Sequence, residues 1–292
     1  MPADGVQSRR RSLCGGALKI RRAVKELQKL TAQDNSSIKL YRKLTVSKKT
    51  RRETGLFVLE GQRLVRDALQ NGAELTHLFW TEAGFSAWRT RPELLDQIPQ
   101  TTQTAMLSDG LGKALSQTEH SQGVYAICRM LSTPPFADFF QAGGAYAILY
   151  QLQDPGNVGM ILRTADALGL DGVVCCGCCD IYSPKTVRAT MGSLFRIPVS
   201  CTSEIQPLLK ICRERKIETC AAVLDVGAEM VGRCRFSAQT AVLIGNEGNG
   251  LPPEIAAACD RRLMIPMHGS IESLNAAMAA GIILWEVKRG IR

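Results

Sequence analysis

AYAILYQLQDPGNVGMILRTADALGLDGVVCC, residues 145–176, decides the fold. Ala145–Leu149 is an apolar run of strand length, and Asp154-Pro155-Gly156 is a turn. Val158–Leu168 puts Val158, Ile161, Leu162, Ala165 and Leu168 on one helical face, with Gly169 as a stop signal just beyond. Gly172–Cys176 is a second apolar strand run. A strand, a crossover helix and a strand of this length form a unit whose strands lie parallel.

Toward the C-terminus the alternation continues. Ser183–Gly192 reads as a helix with Pro184 near its start, and Ala221–Asp225 and Ala241–Gly245 read as strands. Pro252-Pro253 opens another helix with Glu254 in its first turn, and Leu274–Lys288 is the closing helix. Residues 144–292 are therefore expected to form an α/β domain, a mostly parallel sheet with helices on both faces. Toward the N-terminus, Ser132-Thr133-Pro134-Pro135 interrupts the pattern and marks a linker over 132–143. Residues 31–131 read as a smaller α/β domain. Its expected elements are a basic helix carrying Ile38, Leu40, Tyr41 and Leu44, a strand Leu56–Leu59, and a helix Gln62–Asn71 stopped by Gly72. A strand Leu75–Trp80, a helix Leu107–Leu115 with Ser108 as N-cap, and a strand Gly123–Cys128 follow. Residues 1–30 are a basic extension: Met1–Gly16 reads as disordered, and Ala17–Leu30 has helical spacing at Ile20, Val24, Leu27 and Leu30.

Composition narrows the function classes. The 292 residues are 45% hydrophobic, an ordinary globular value with room for two cores. The longest apolar stretch, around Ala276–Trp285, is too short to span a bilayer, and the polar start has no secretory h-region. No membrane partner and a cytoplasmic location are expected. The eleven cysteines are then expected to be free thiols. Cys175, Cys176, Cys178 and Cys179 lack zinc-knuckle spacing and have no second Cys/His pair at finger distance, so no metal is expected. Val173–Cys176 reads instead as a buried strand. The net charge of +9 is an N-terminal property: residues 1–60 hold 15 Lys/Arg against 5 Asp/Glu, and the remaining 232 hold 21 against 22. Basic residues interleaved with apolar ones over Lys39–Arg52 are the footprint of a polyanion partner.

Three segments carry candidate chemistry. In Gln153–Arg163 (QDPGNVGMILR), Asn157 is expected as the N-cap, and Arg163 falls off the buried face. Leu243–Leu251 (LIGNEGNGL) has three glycines in six residues, so backbone can approach a ligand closely. It is neither a dinucleotide-binding fingerprint nor a phosphate-binding P-loop, and Glu247 within it has no evident structural reason. In Ile265–Asn275 (IPMHGSIESLN), Ser270 or Glu272-Ser273 would cap the last helix, and His268 carries no assigned chemistry. Three such loops at strand ends can line one site at the carboxyl edge of the sheet. Composition and spacing do not name its ligand.

In order, spacing and residue type, these segments resemble the three signature motifs of the SpoU family of RNA ribose 2′-O-methyltransferases, in the SPOUT superfamily. The resemblance runs from about Lys29 to the C-terminus; it includes Asp180–Pro198, between the first two motifs, and Phe57–Trp80, similar to the family's N-terminal substrate-binding domain. It implies a trefoil-knotted C-terminal domain, a homodimer formed through the closing helix, and S-adenosylmethionine as cofactor. By position, Gly245, Ile265 and Leu274 would contact the cofactor, and Arg163, Asn157, Glu247, Ser273 and Asn275 would form the active site. The substrate implied is structured RNA, ribosomal by analogy with members that have the extra domain. Arginine is proposed as the activating base in this family, yet guanidinium groups stay protonated in proteins, so stabilising a developing alkoxide or positioning a phosphate is equally compatible. A non-catalytic RNA-binding protein on the same fold, or a base methyltransferase, are the competing readings. The intact motif residues and the Ser-Leu-Asn third motif weigh against them.

Overall fold

The computed structural model describes residues 28–133, 136–269 and 272–291, which fall into two compact units divided between Met130 and Leu131. The readings of Met1–Gly16 and of most of Ala17–Leu30 lie outside the described residues.

The N-terminal unit contains β1 (Gln28–Leu30), α1 (Ser36–Val46), α2 (Lys48–Thr54), β2 (Leu56–Glu60) and α3 (Gln62–Gln70). It continues with β3 (Leu75–Trp80), α4 (Glu82–Arg89), β4 (Gln103–Leu107), α5 (Asp109–Leu115) and β5 (Val124–Arg129). The sheet order is β1-β4-β3-β5-β2. Strand β4 pairs parallel with β1 and β3, whereas β5 runs antiparallel to β3 and β2. One core joins Ile38, Tyr41 and Leu44 of α1 to Phe79, Tyr125 and Ile127 of the sheet. Gln28–Leu30 is a strand, so the helix expected through Leu30 does not extend that far. Ser108 caps α5 as expected, but Leu107 belongs to β4, a strand whose apolar residues are too sparse to announce it.

The C-terminal unit runs β6 (Ala145–Tyr150), α6 (Pro155–Leu168), β7 (Gly172–Cys176), α7 (Pro184–Ala189), β8 (Val199–Thr202) and α8 (Ile205–Glu214). Then come β9 (Glu218–Ala222), β10 (Glu229–Met230), β11 (Thr240–Ile244), α9 (Pro253–Ala258), β12 (Arg261–Met264) and α10 (Ala276–Gly290). All the pairings in the order β10-β12-β9-β11-β6-β7-β8 are parallel. Both faces are covered, as continuous apolar strands require. Tyr146, Ile148, Val174 and Leu243 pack with α8 and α9, while the alternate residues Ala147, Leu149, Val173 and Val242 are also fully buried. On that second side, α6 and α10 pack on each other, and α10 meets β6 and β11. The first strand after α8 starts earlier than expected, at Glu218, and leaves the sheet after Ala222. Its register against β11 places Cys220 and Ala221 opposite Val242 and Leu243. Phe139 and Phe140, within the stretch read as a linker, are buried beside Tyr146.

The cysteine run is the expected buried strand: Cys175 and Cys176 lie within β7, and the described cysteines are free. Burial pushes the thiol of Cys176 up to about 11, and those of Cys212 and Cys220 up to about 12. No group of metal-binding side chains occurs, and no helix is long and apolar enough to cross a membrane, among the described residues. Met278, Ile282 and Trp285 project from one side of α10 into solvent, and Met160 does so from α6.

Candidate functional site

The first motif begins where β6 ends. Gln151 takes a left-handed φ of 54°, a strained conformation for a residue with a side chain. Its N–H donates to Cys176 O at 2.8 Å, and its carbonyl accepts from Asn246 Nδ2 at 2.8 Å. Asp154 then caps α6, its Oδ1 accepting from Gly156 N at 2.7 Å. Asn157 is therefore not the N-cap. Aspartate caps as well as asparagine does, and Pro155 is suited to the first helical position, so the helix starts earlier. Asn157 falls inside the first turn and is 6% exposed.

That displacement frees the Asn157 amide to join the three motifs. Its Nδ2 donates to Glu247 Oε1 at 3.1 Å, and its Oδ1 accepts from Asn275 Nδ2 at 3.0 Å. Asn275, and not Glu272 or Ser273, caps α10, with Oδ1 accepting from the N–H groups of Ala277 and Met278; Ser270 lies outside the described residues. Each asparagine uses both ends of its amide. Glu247 also accepts from the backbone N–H groups of Asp154 at 3.0 Å and Gln153 at 3.2 Å. Partial burial opposes its charge. The hydrogen bonds from Asn157 and from the backbone of Asp154, Glu247 itself and Gln153 outweigh it and hold the carboxyl below its ordinary value. Glu247 is thus an ionised strut between the first and second motifs. An acceptor committed to several donors is poorly placed to take up a substrate proton.

The glycine loop folds tightly on itself. Asn246 and Gly250 exchange backbone hydrogen bonds, and Asn246 Oδ1 accepts from Gly248 N at 2.9 Å. Gly245 lies beneath: a Cβ there would sit 2.1 Å from the Gly250 carbonyl carbon. Backbone, not side chain, therefore faces the adjoining cavity of about 290 Å³. Gly245, Ile265, Leu274 and Ser273, all singled out in the sequence, line it. Leu224 and Met267, which sequence reasoning missed, line it too. An apolar wall opposite a loop of backbone donors and acceptors suits a ligand with one flat apolar part and several polar groups.

Arg163 is exposed on α6, one turn beyond Gly159, and makes no hydrogen bond or ion pair among the described residues. It does not line the cavity. Ser273 is exposed, and its hydroxyl is likewise free among the described residues. The structure thus joins Asn157, Glu247 and Asn275 directly, sets Gly245, Ile265, Leu274 and Ser273 around the cavity, and leaves Arg163 open to solvent. Asp154 and Asn246 were missed as organisers; an Asx residue beside glycine or proline was the available signal. Arg188 on α7 was missed as well: its Nη1 is buried and has no hydrogen-bond partner among the described residues.

The sequence profile of the SpoU rRNA Methylase family matches residues 144–285, and that of the MRM3-like substrate binding domain matches residues 35–126. The 23S rRNA (uridine(2479)-2′-O)-methyltransferase of Streptomyces viridochromogenes is 33% identical, covering 87% of this chain and 90% of its own. The 23S rRNA (guanosine(2553)-2′-O)-methyltransferase RlmP of Bacillus subtilis is 29% identical, covering 90% of this chain and all of its own. The crystal structure of an AdoMet-bound rRNA methyltransferase from Sinorhizobium meliloti superposes with a TM-score of 0.78 at 30% identity, covering 90% of this chain and 98% of that one.

Proposed function

Because the chain belongs to the SpoU rRNA methylase family and is by that membership a methyltransferase acting on RNA, we propose that it transfers a methyl group from S-adenosylmethionine to a ribose 2′-hydroxyl of ribosomal RNA. The observation that carries the proposal is the hydrogen-bonded chain Asn275–Asn157–Glu247, which ties the three motifs together beside the cavity. The 2′-hydroxyl and ribosomal RNA are the chemistry and substrate in the names of both relatives.

The residues fit the cofactor. Gly245 lets the loop backbone fold close at the cavity wall, where a side chain would strike Gly250 and Leu251, and Leu224, Ile265 and Leu274 offer apolar surface to a flat base. When bound, the cofactor supplies an electrophilic methyl, so the protein must align the hydroxyl and manage its proton. Arg163, whose donors are free among the described residues, stabilises the oxygen as it loses its proton or holds the neighbouring phosphate. Ser273 orients the nucleotide at the cavity rim, and Asn157 and Asn275 fix the two loops that bracket it. The domain is trefoil-knotted in this reading. The active form is a homodimer closed over Met160, Met278, Ile282 and Trp285, an apolar group that a monomer leaves in water.

The test is transfer of labelled methyl from S-adenosylmethionine to ribosomal RNA. Arg163→Ala is expected to lower turnover by about a hundredfold or more while cofactor affinity stays within twofold, the scale seen when a donor to a developing oxyanion is removed. Near-normal turnover would remove Arg163 from the mechanism.

A further inference from the structure

The N-terminal unit holds a second cavity, of about 190 Å³, entirely within its own fold. Its wall is donor-rich: Arg63 and Arg66 from the start of α3, Arg91 just after α4, and Gln62 and Gln122, with Trp88 behind them. Trp88 is 1% exposed, so the wall stands on a fixed core residue. The local charge does not cancel. Among the described residues, Asp67 is the one carboxylate paired with two of the arginines, at 3.9 Å from Arg63 and 3.7 Å from Arg66, both beyond hydrogen-bond range. The Arg91 side chain has no hydrogen bond or ion pair among the described residues. Three arginines therefore line one cavity, and among the described residues Asp67 is the one carboxylate paired with any of them, at distances too long for a hydrogen bond.

Such a set is built for an anion with several acceptor oxygens. Gln122 reinforces it. Its Oε1 accepts from Gln62 N at 2.8 Å, which fixes the side chain in the cavity wall. Surface arginines holding no ligand would more often be spread out or matched by carboxylates, as Arg129 is by Glu74 on the same unit.

We propose that Arg63, Arg66 and Arg91 form a phosphate-binding site for the RNA backbone, one that contributes affinity and positions the substrate. The inference rests on the reading of RNA as substrate, and it assigns one place on the N-terminal unit where a phosphodiester is gripped. Phosphate contacts position a nucleic acid without reading its sequence, so the site serves any target nucleotide.

Arg91 gives the cleanest test, because removing its side chain breaks no hydrogen bond or ion pair among the described residues. Binding of in vitro transcribed large-subunit ribosomal RNA is measured against salt for the full chain, Arg91→Glu, Arg91→Lys and Arg63→Ala. Arg91→Glu is expected to weaken RNA binding by roughly tenfold or more, the scale of a lost charged hydrogen bond. It is also expected to flatten the slope of log affinity on log salt by about one. Arg91→Lys restores the slope but only part of the affinity, and cofactor affinity does not change in any variant. Excess inorganic phosphate competes weakly with RNA for the wild type and not at all for Arg91→Glu. Unchanged RNA affinity and slope in Arg91→Glu would overturn the site while leaving the methyltransferase reading intact. If the wild type itself binds the RNA no more tightly than a protein without this unit does, both readings fall.

Discussion

Asn157 decides more than its expected role as a helix cap would allow. It is buried and spends both ends of its amide on the other two motifs. Asn157→Ala leaves Glu247 and Asn275 each short of a partner, and stability should fall by about 1–3 kcal/mol. Denaturant unfolding checks this, and a loss below about 0.5 kcal/mol, the ordinary range of a surface change, would mean that the chain of amides is incidental. Glu247 sets a pH dependence. Its folded pKa lies below its ordinary value, so its stabilisation is complete above the ordinary glutamate range and fades as pH falls through the folded value. The wild type should therefore outlast Glu247→Gln in thermal unfolding at pH 7, with the gap closing on acidification toward pH 3. A constant gap would show that the charge contributes nothing. Glu247 was legible as a candidate because a carboxylate in a glycine-rich loop lacks a packing reason, whereas Asn157 and Asn275 were candidates through the family resemblance. Their roles were not legible, since a cap shifted by three positions, from Asn157 to Asp154, turns a local helix signal into a long-range contact.

At the scale of elements, the helix crossing of α6 and α7 depends on Gly159. A Cβ there would lie 2.3 Å from the Ala189 Cβ and 3.0 Å from the Thr186 carbonyl oxygen. Gly159→Ala must spread the two helices, at a cost of about 1–3 kcal/mol, although alanine is the better helix former. A variant as stable as the wild type would show that the crossing is loose. The continuous apolar strands Ala145–Tyr150, Gly172–Cys176 and Thr240–Ile244 were legible within a residue or two because both their faces are buried. The edge strand β8 and the strand β12, one in from the opposite edge, were not. Val199–Thr202 and Arg261–Met264 mix polar and apolar residues, and Arg261 spends its charge on Glu218 and Glu229. Helix α8 was missed too, though its buried Ile205, Leu208, Leu209 and Cys212 follow helical spacing.

At the scale of the whole molecule, two units divide the work. The C-terminal unit carries the motifs, and the N-terminal unit, which matches a substrate binding domain, is proposed to carry the affinity for RNA. The parallel sheet was legible from the alternation of strands and helices. The pairing β12 beside β9 was not, because it brings together strands far apart in sequence. The exposed Met278, Ile282 and Trp285 on α10 predict a dimer in solution. Sedimentation should find twice the 31.8 kDa chain mass, and Trp285→Glu should shift the equilibrium toward monomer. A monomeric, active wild type would contradict that arrangement. The central claim is that the methyl goes to ribose and not to a base. A 2′-O-methyl group removes the nucleophile that alkali uses to cleave the next phosphodiester. The most direct measurement is therefore alkaline digestion of ribosomal RNA labelled by this enzyme from S-adenosylmethionine. Label is expected in an alkali-resistant dinucleotide, and none after reaction with Arg163→Ala. Label recovered in mononucleotides would place the methyl on a base and contradict it.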